Sequence, residues 1–166
     1  YYMKTVELKI YKFQALDTSA QQKALENLAD INTADYEWWD SVYEDAKTIG
    51  IKITSFDLAR NRHAKGELTK SPVDVCKKLM EQHGPTTETY KTAQKYQERI
   101  VDMEKRDDTQ ETQELAIELE EEFRNALLED YSVILQKEYE YLTSEEAIRE
   151  SIEANDYDFT EDGKIY

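Results

Sequence analysis

The sequence predicts an α+β fold: a small antiparallel sheet of an N-terminal strand, a central hairpin and a C-terminal hairpin, packed with five to six helices, one of them long and acidic. Three observations lead there. Apolar and polar residues alternate over 6–10 and 51–55, the period of a half-buried strand. Elsewhere apolar residues recur three and four apart, the period of a helix with one buried face. The length of 166 residues suits one domain, and no repeat, low-complexity tract or linker divides it, so residues 3–166 are read as a single domain. Tyr1 and Tyr2 stand ahead of Met3, which reads as the natural start.

In chain order, Val6, Leu8 and Ile10 alternate with Glu7 and Lys9 as the first strand, with Tyr11 and Phe13 on its other side. Thr18 and Gln21 form a capping box for a helix that turns Ala24, Leu25, Leu28 and Ile31 inward. After a break at 32–35, a second helix carries Trp39, Val42, Tyr43, Ala46 and Ile49 on one stripe and stops at Gly50. Ile51, Ile53 and Ser55 open a strand that turns at Arg60-Asn61-Arg62 and returns over 63–68. Ser71-Pro72 supplies a cap and then proline at the first helical position, for a helix that buries Val73, Cys76, Leu79 and Met80 and ends at Gly84-Pro85. Ala93, Tyr96, Ile100 and Met103 mark the next helix. Beyond a loop at 107–109, Leu115, Leu119, Phe123, Ala126, Leu127, Tyr131 and Ile134 mark the longest one, running to Leu142. Thr143 and Glu146 form a second capping box for a helix holding Ala147, Ile148 and Ile152, and the chain closes as a hairpin around Asp162-Gly163.

Lys plus Arg is 21 and Asp plus Glu is 37, a formal charge of −16. The charge is uneven: residues 1–83 are nearly balanced at −1, whereas 84–166 carry −15. Such a single-sign field costs self-repulsion, disfavours direct binding to nucleic acid and favours a basic partner. The 12 Tyr, 4 Phe and 2 Trp are too many aromatics for a disordered acidic tail. No apolar run reaches membrane-span length and no signal peptide is evident. The lone Cys76 allows no internal disulfide, which fits a reducing compartment.

Candidate chemistry is thin. Cys76 and His83 lie seven apart on one predicted helix and could share a face as a nucleophile and its base, against the plainer reading of a small core residue and a cation near a helix C-terminus. Asp156, Asp158, Glu161 and Asp162 fail as a calcium loop, because Glu161 falls where glycine is needed. No phosphate loop, zinc signature or nucleophile elbow is present, so no cofactor or metal is expected and the protein is read as a non-enzyme.

The acidic residues carry more. Glu114, Glu118, Glu121, Glu122, Asn125 and Glu129 fall on one stripe opposite Leu115, Leu119 and Phe123. Carboxylates four apart on a helix rise about 6 Å along its axis, and like charges at that spacing cost a few tenths of a kcal/mol per pair. The stripe reads either as a line of phosphate mimics for a basic groove or as a solvated helix face. Trp38, with Tyr36 and Glu37 before it and Asp35 and Asp45 near it, reads either as a binding anchor or as packing on the sheet.

Ile10-Tyr11-Lys12-Phe13, Ala15-Leu16, Ala20-Gln21-Gln22-Lys23-Ala24 and the run from Asp35 through Trp38-Trp39 to Ala46 resemble small acidic proteins of phages and mobile elements, usually uncharacterised or labelled antitoxin-like. Relatives often follow with a glycine-rich turn between two strands. Here 55–63 occupies that place without glycine, so no site carries over from it. The resemblance covers about the first third of the chain and brings no catalytic residues. It implies a gene of the contest between mobile elements and bacterial defence, acting in the cytoplasm of a bacterial host. Joined with the charge, it leads to the expectation of an inhibitor of a defence nuclease such as a CRISPR effector, with an antitoxin for one cognate toxin as the alternative. The partner-binding residues expected are Glu114, Glu118, Glu121, Glu122, Glu129, Tyr36, Glu37, Trp38 and Asp45. The oligomeric state is not set by the sequence.

Overall fold

In the computed structural model, which describes residues 2–166, the chain runs β1 (Tyr11–Lys12), a 3-10 turn (Phe13–Ala15), α1 (Thr18–Asn27), α2 (Asp40–Ile49), β2 (Ile51–Asp57) and β3 (His63–Leu68). It continues through α3 (Pro72–Gln82), α4 (Glu88–Glu104), α5 (Gln110–Leu142), α6 (Glu145–Asn155) and β4 (Asp158–Phe159). The fold is α+β, and the strands form two antiparallel pairs, β1 with β4 and β2 with β3. Contacts gather into two compact units, one formed by the chain up to Trp38 together with Glu138–Tyr166, the other by Trp39–Lys137. Neither junction has linker composition: one falls between the two tryptophans, the other inside α5.

In the first unit, Phe13, Leu16, Ala20, Ala24 and Leu25 meet Ile148, Ile152 and Phe159 in one apolar cluster. Leu28 and Ile31 pack against it from the turns that follow α1. The expected strand over 6–10 does not form. Val6, Leu8 and Ile10 are 82%, 54% and 43% exposed, and pairing begins only at Tyr11, opposite Phe159. The cause is the brevity of β4, which has two residues before the chain turns at 160–163. Gly163, at φ +84, closes that turn, and a Cβ there would stand 2.2 Å from the Ala20 carbonyl oxygen, so the turn lies against the backbone of α1.

Both capping boxes shift by one residue. Asp17 caps α1, its carboxylate accepting from the Ala20 N–H at 2.8 Å, while Gln21 donates to the Phe13 carbonyl. Ser144 caps α6 by accepting from the Ala147 N–H, while the Thr143 hydroxyl donates back to the Tyr139 carbonyl.

The second unit keeps the expected central hairpin, with Ile51 opposite Leu68 and Asp57 opposite His63 and one bulge at Thr54. Gly50 ends α2 in the left-handed region at φ 104, which lets β2 follow at once. Ser71 caps α3 as expected, its hydroxyl accepting from the Asp74 N–H. That helix buries Val75, Cys76 and Leu79, whereas Val73 is 49% exposed, since it lies two residues from Val75 and so across the helix. On α4 the buried positions are Thr89, Ala93 and Tyr96, and Tyr96 stacks on Phe123 of α5 at 4.5 Å. Along α5, Leu119, Phe123, Leu127, Tyr131 and Leu135 are buried at four-residue steps, with Leu128 beside them, while the expected Ala126 is exposed. Each such step turns about 40° around the axis, so the buried stripe winds around the helix.

Candidate functional site

That winding sets the length of the acidic face. Glu114, Glu118, Glu121, Glu122, Asn125 and Glu129 are all exposed and span about 100° of the helix circumference. Ser132, about five turns beyond Glu114 and on the same azimuth, is fully buried, so the face ends there. Its members divide into two sets. Glu122 binds Arg99 of α4 at 2.5 Å. Glu129 binds Arg62 at 2.6 Å, and the same guanidinium donates to Ser132 and Gln136, so the turn between β2 and β3 clamps α5. Glu114, Glu118 and Glu121 have no lysine or arginine within salt-bridge distance among the described residues; Glu114 accepts only from the Gln110 amide. Three carboxylates on one exposed face are thus open to a cationic group from outside.

Of the expected aromatic anchors, Tyr36 is 64% exposed and stands at the lip of a groove of about 260 Å³ shared with Ile31, Leu142 and Tyr157. Asn32 ties that groove together, donating to the Leu142 carbonyl and accepting from Ser151. Glu37 is exposed beside Tyr36. Trp38 is half-buried with its ring 5.4 Å from that of Tyr139, so it packs within its own unit. Trp39 forms an edge-to-face contact with Phe56 on β2, as does Tyr43.

Asp45 faces inward on α2. Its Oδ2 accepts from His83 Nε2 at 2.9 Å and from the Tyr131 hydroxyl at 2.8 Å. Those two donors hold its carboxyl below the usual carboxylate range, the His83 bond most of all. His83 follows the last turn of α3, and its Nδ1 lies 2.6 Å from the Thr89 hydroxyl. The chain continues from Thr89 to Thr87 and to the Gly84 carbonyl. One imidazole thus links α2, α3, the start of α4 and, through Asp45, α5. The group lines a cavity of about 560 Å³ that also takes in Asp130, Val133, Ile134 and Lys137.

Thr89 is only 2% exposed, and both its contacts are internal. The Asp45–His83–Thr89 chain therefore serves as a cross-brace between helices. Cys76 is no nucleophile either: it is fully buried, its thiol points to the Ala93 carbonyl, and burial pushes its pKa up to about 12.

Asp130, on the same cavity, is raised above the usual carboxylate range by burial, with neighbouring Glu88 and Glu129 adding to the shift against one hydrogen bond from Thr92. A raised folded pKa gives stability that is complete below the unfolded value and lost as pH rises through the folded one. Asp130→Asn keeps the Thr92 acceptor without the charge. It is expected to raise Tm at neutral pH and to lose that advantage towards pH 3, as read by thermal unfolding of both proteins across pH.

Of this constellation the sequence showed Asp45 and His83 separately, and missed Thr89, Tyr131 and Asp130. The positions of His83 just past a helix end and of Tyr131 on the apolar stripe were the available signals. Among the described residues no group of three or more His, Cys, Asp or Glu is placed to hold a metal ion, and no helix is long and apolar enough to cross a membrane. No family model, curated protein or solved structure matches the chain.

Proposed function

We propose that this protein is a non-enzymatic inhibitor of a bacterial defence nuclease, such as a CRISPR effector, that occupies the nuclease's basic nucleic-acid groove with carboxylates. The observation that carries the reading is the exposed set Glu114, Glu118 and Glu121 on the face of α5, with no lysine or arginine within salt-bridge distance among the described residues, in a chain of net charge −16. A nucleic-acid groove is built to hold a row of anions, and a fixed row of carboxylates competes for the same lysines and arginines. Long-range attraction speeds encounter, and Tyr36 at the lip of its groove supplies a short-range contact.

The test is competition for DNA binding by a guide-loaded effector nuclease. The protein should displace the DNA, and its own affinity for the effector should fall steeply as salt rises from about 0.05 M to about 0.5 M, because screening shortens the reach of the charges. Affinity that stays level across that range removes the groove-occupying role. Rescue of cells from a neighbouring toxin gene, with no nuclease affected, assigns the protein to the antitoxin class instead.

A further inference from the structure

The segment leading into β1 has the pattern of a strand, and among the described residues no strand pairs with it. Val6, Leu8 and Ile10 alternate with Glu7 and Lys9 along the segment and are 82%, 54% and 43% exposed. Phe13, just past β1 in the 3-10 turn, is the first residue of the chain to enter the apolar cluster of its unit. The core of this chain therefore does not cover the Val6–Leu8–Ile10 face. Charge sets the segment apart as well: Lys4 and Lys9 stand against Glu7, while Lys12 is paired with Asp158 and Asp156, so the stretch carries no acidic excess in an acidic protein. It is not the surface that meets a basic partner.

We propose that a second copy of this chain completes the segment, the two stretches from Thr5 to Tyr11 pairing antiparallel about Leu8. Charge complementarity fixes the register. Centred on Leu8, Glu7 stands opposite Lys9 of the second copy and Lys9 opposite its Glu7, while Val6 stands opposite Ile10 and Leu8 opposite itself. One face then joins apolar side chains and the other carries two opposite-charge pairs, the cross-strand combinations that stabilise a ladder. The neighbouring registers that keep the same faces set either Glu7 against Glu7 or Lys9 against Lys9, and a slip of one residue sends the apolar set to the other face. Because β1 already pairs with β4, the joined strands run β4–β1–β1–β4, four strands in place of two isolated pairs.

Salt separates this contact from the binding proposed above. Each copy carries −16, so screening favours self-association, whereas it weakens docking on a basic groove. Sedimentation equilibrium should show mass rising with concentration from 19.6 kDa towards twice that value, more readily at high salt. Glu7→Lys should weaken the dimer about tenfold, and Glu7→Lys combined with Lys9→Glu should restore it. Leu8→Cys should give a disulfide-linked dimer under mild oxidation, with the fully buried Cys76 taking no part. The segment is exposed, so the monomers of the parent and of every unlinked variant, compared at a concentration too low for pairing, should share the same circular dichroism and Tm. A chain that stays monomeric throughout overturns the proposal. So does a dimer indifferent to Glu7→Lys, or a double exchange that fails to restore it. Loss of nuclease capture with no change in mass assigns the strand to the nuclease instead, and also overturns it.

Discussion

Replacing Glu114, Glu118 and Glu121 together by glutamine is expected to slow association with a guide-loaded effector nuclease by about one to two orders of magnitude at low salt, while making the protein slightly more stable. The two effects have one origin. The three carboxylates are exposed, share one face of α5 and have no cationic partner among the described residues. Within the folded protein their charges repel one another and their acidic neighbours, at about 0.2–0.5 kcal/mol for each close pair, and Arg124, three residues from Glu121, offsets part of this. Glutamine keeps the helix propensity of glutamate and removes that repulsion, so a gain of about 0.5–1 kcal/mol in unfolding free energy should accompany the loss of binding. Glu122→Gln and Glu129→Gln make the contrast. Each breaks an ion pair, with Arg99 or Arg62, and is expected to leave stability unchanged or lower it by up to about 1 kcal/mol. Stopped-flow association rates and denaturant unfolding of the same five-position series give both readings. Binding that survives the triple substitution, or a triple variant less stable than the parent, leaves the face of α5 with no part in a charge-driven partner contact.

What the sequence made legible follows the range of the interactions involved. The central hairpin, the Gly50 stop and the Ser71-Pro72 start depend on neighbours a few residues apart, and each stands where the pattern set it. The caps of α1 and α6 moved by one residue because a second good acceptor, Asp17 or Ser144, adjoins the expected threonine, and local competition decides between them. The strand over 6–10 was misplaced for a different reason. Alternation reports that a segment can line a sheet, whereas a strand also needs a neighbour, and here β4 reaches only as far as Tyr11. The acidic stripe was legible as a stripe, since helical phase alone defines it. That Glu129 and Glu122 are held by Arg62 and Arg99 was not, because those partners lie 67 and 23 residues away. The same holds for Asp45, set beside acidic and aromatic neighbours in the sequence but facing His83, 38 residues on, and Tyr131, 86 residues on. A carboxylate on a half-apolar helix face carries no mark of which way it turns.

Asp45→Ala is expected to cost about 2–3 kcal/mol of unfolding free energy, the larger part of it from what is left behind rather than from what is lost. Tyr131 is fully buried, and without the carboxylate its hydroxyl has no acceptor; His83, with an 11% exposed side chain, loses the partner of its Nε2. Asp45 itself is 44% exposed on its side chain, so water offsets much of the direct electrostatic loss, and the buried hydroxyl dominates. Tyr131→Phe added to Asp45→Ala should therefore recover part of the cost, because it removes the orphaned group and keeps the ring in the core. The pair then shows a coupling of about 1 kcal/mol or more in a double-mutant cycle. The pH dependence carries the same sign. A carboxyl whose folded pKa is depressed contributes stability that is present above its unfolded value, about 3.9, and is lost as pH falls through the folded one. The parent should lose this contribution at the acid end, and Asp45→Ala should show a shallower decline over that window. Denaturant unfolding of the parent, both single variants and the double at neutral and acid pH decides the matter. Strictly additive losses, or an acid profile unchanged by Asp45→Ala, would mean that the His83–Asp45–Tyr131 contacts do not brace α2, α3 and α5 against one another.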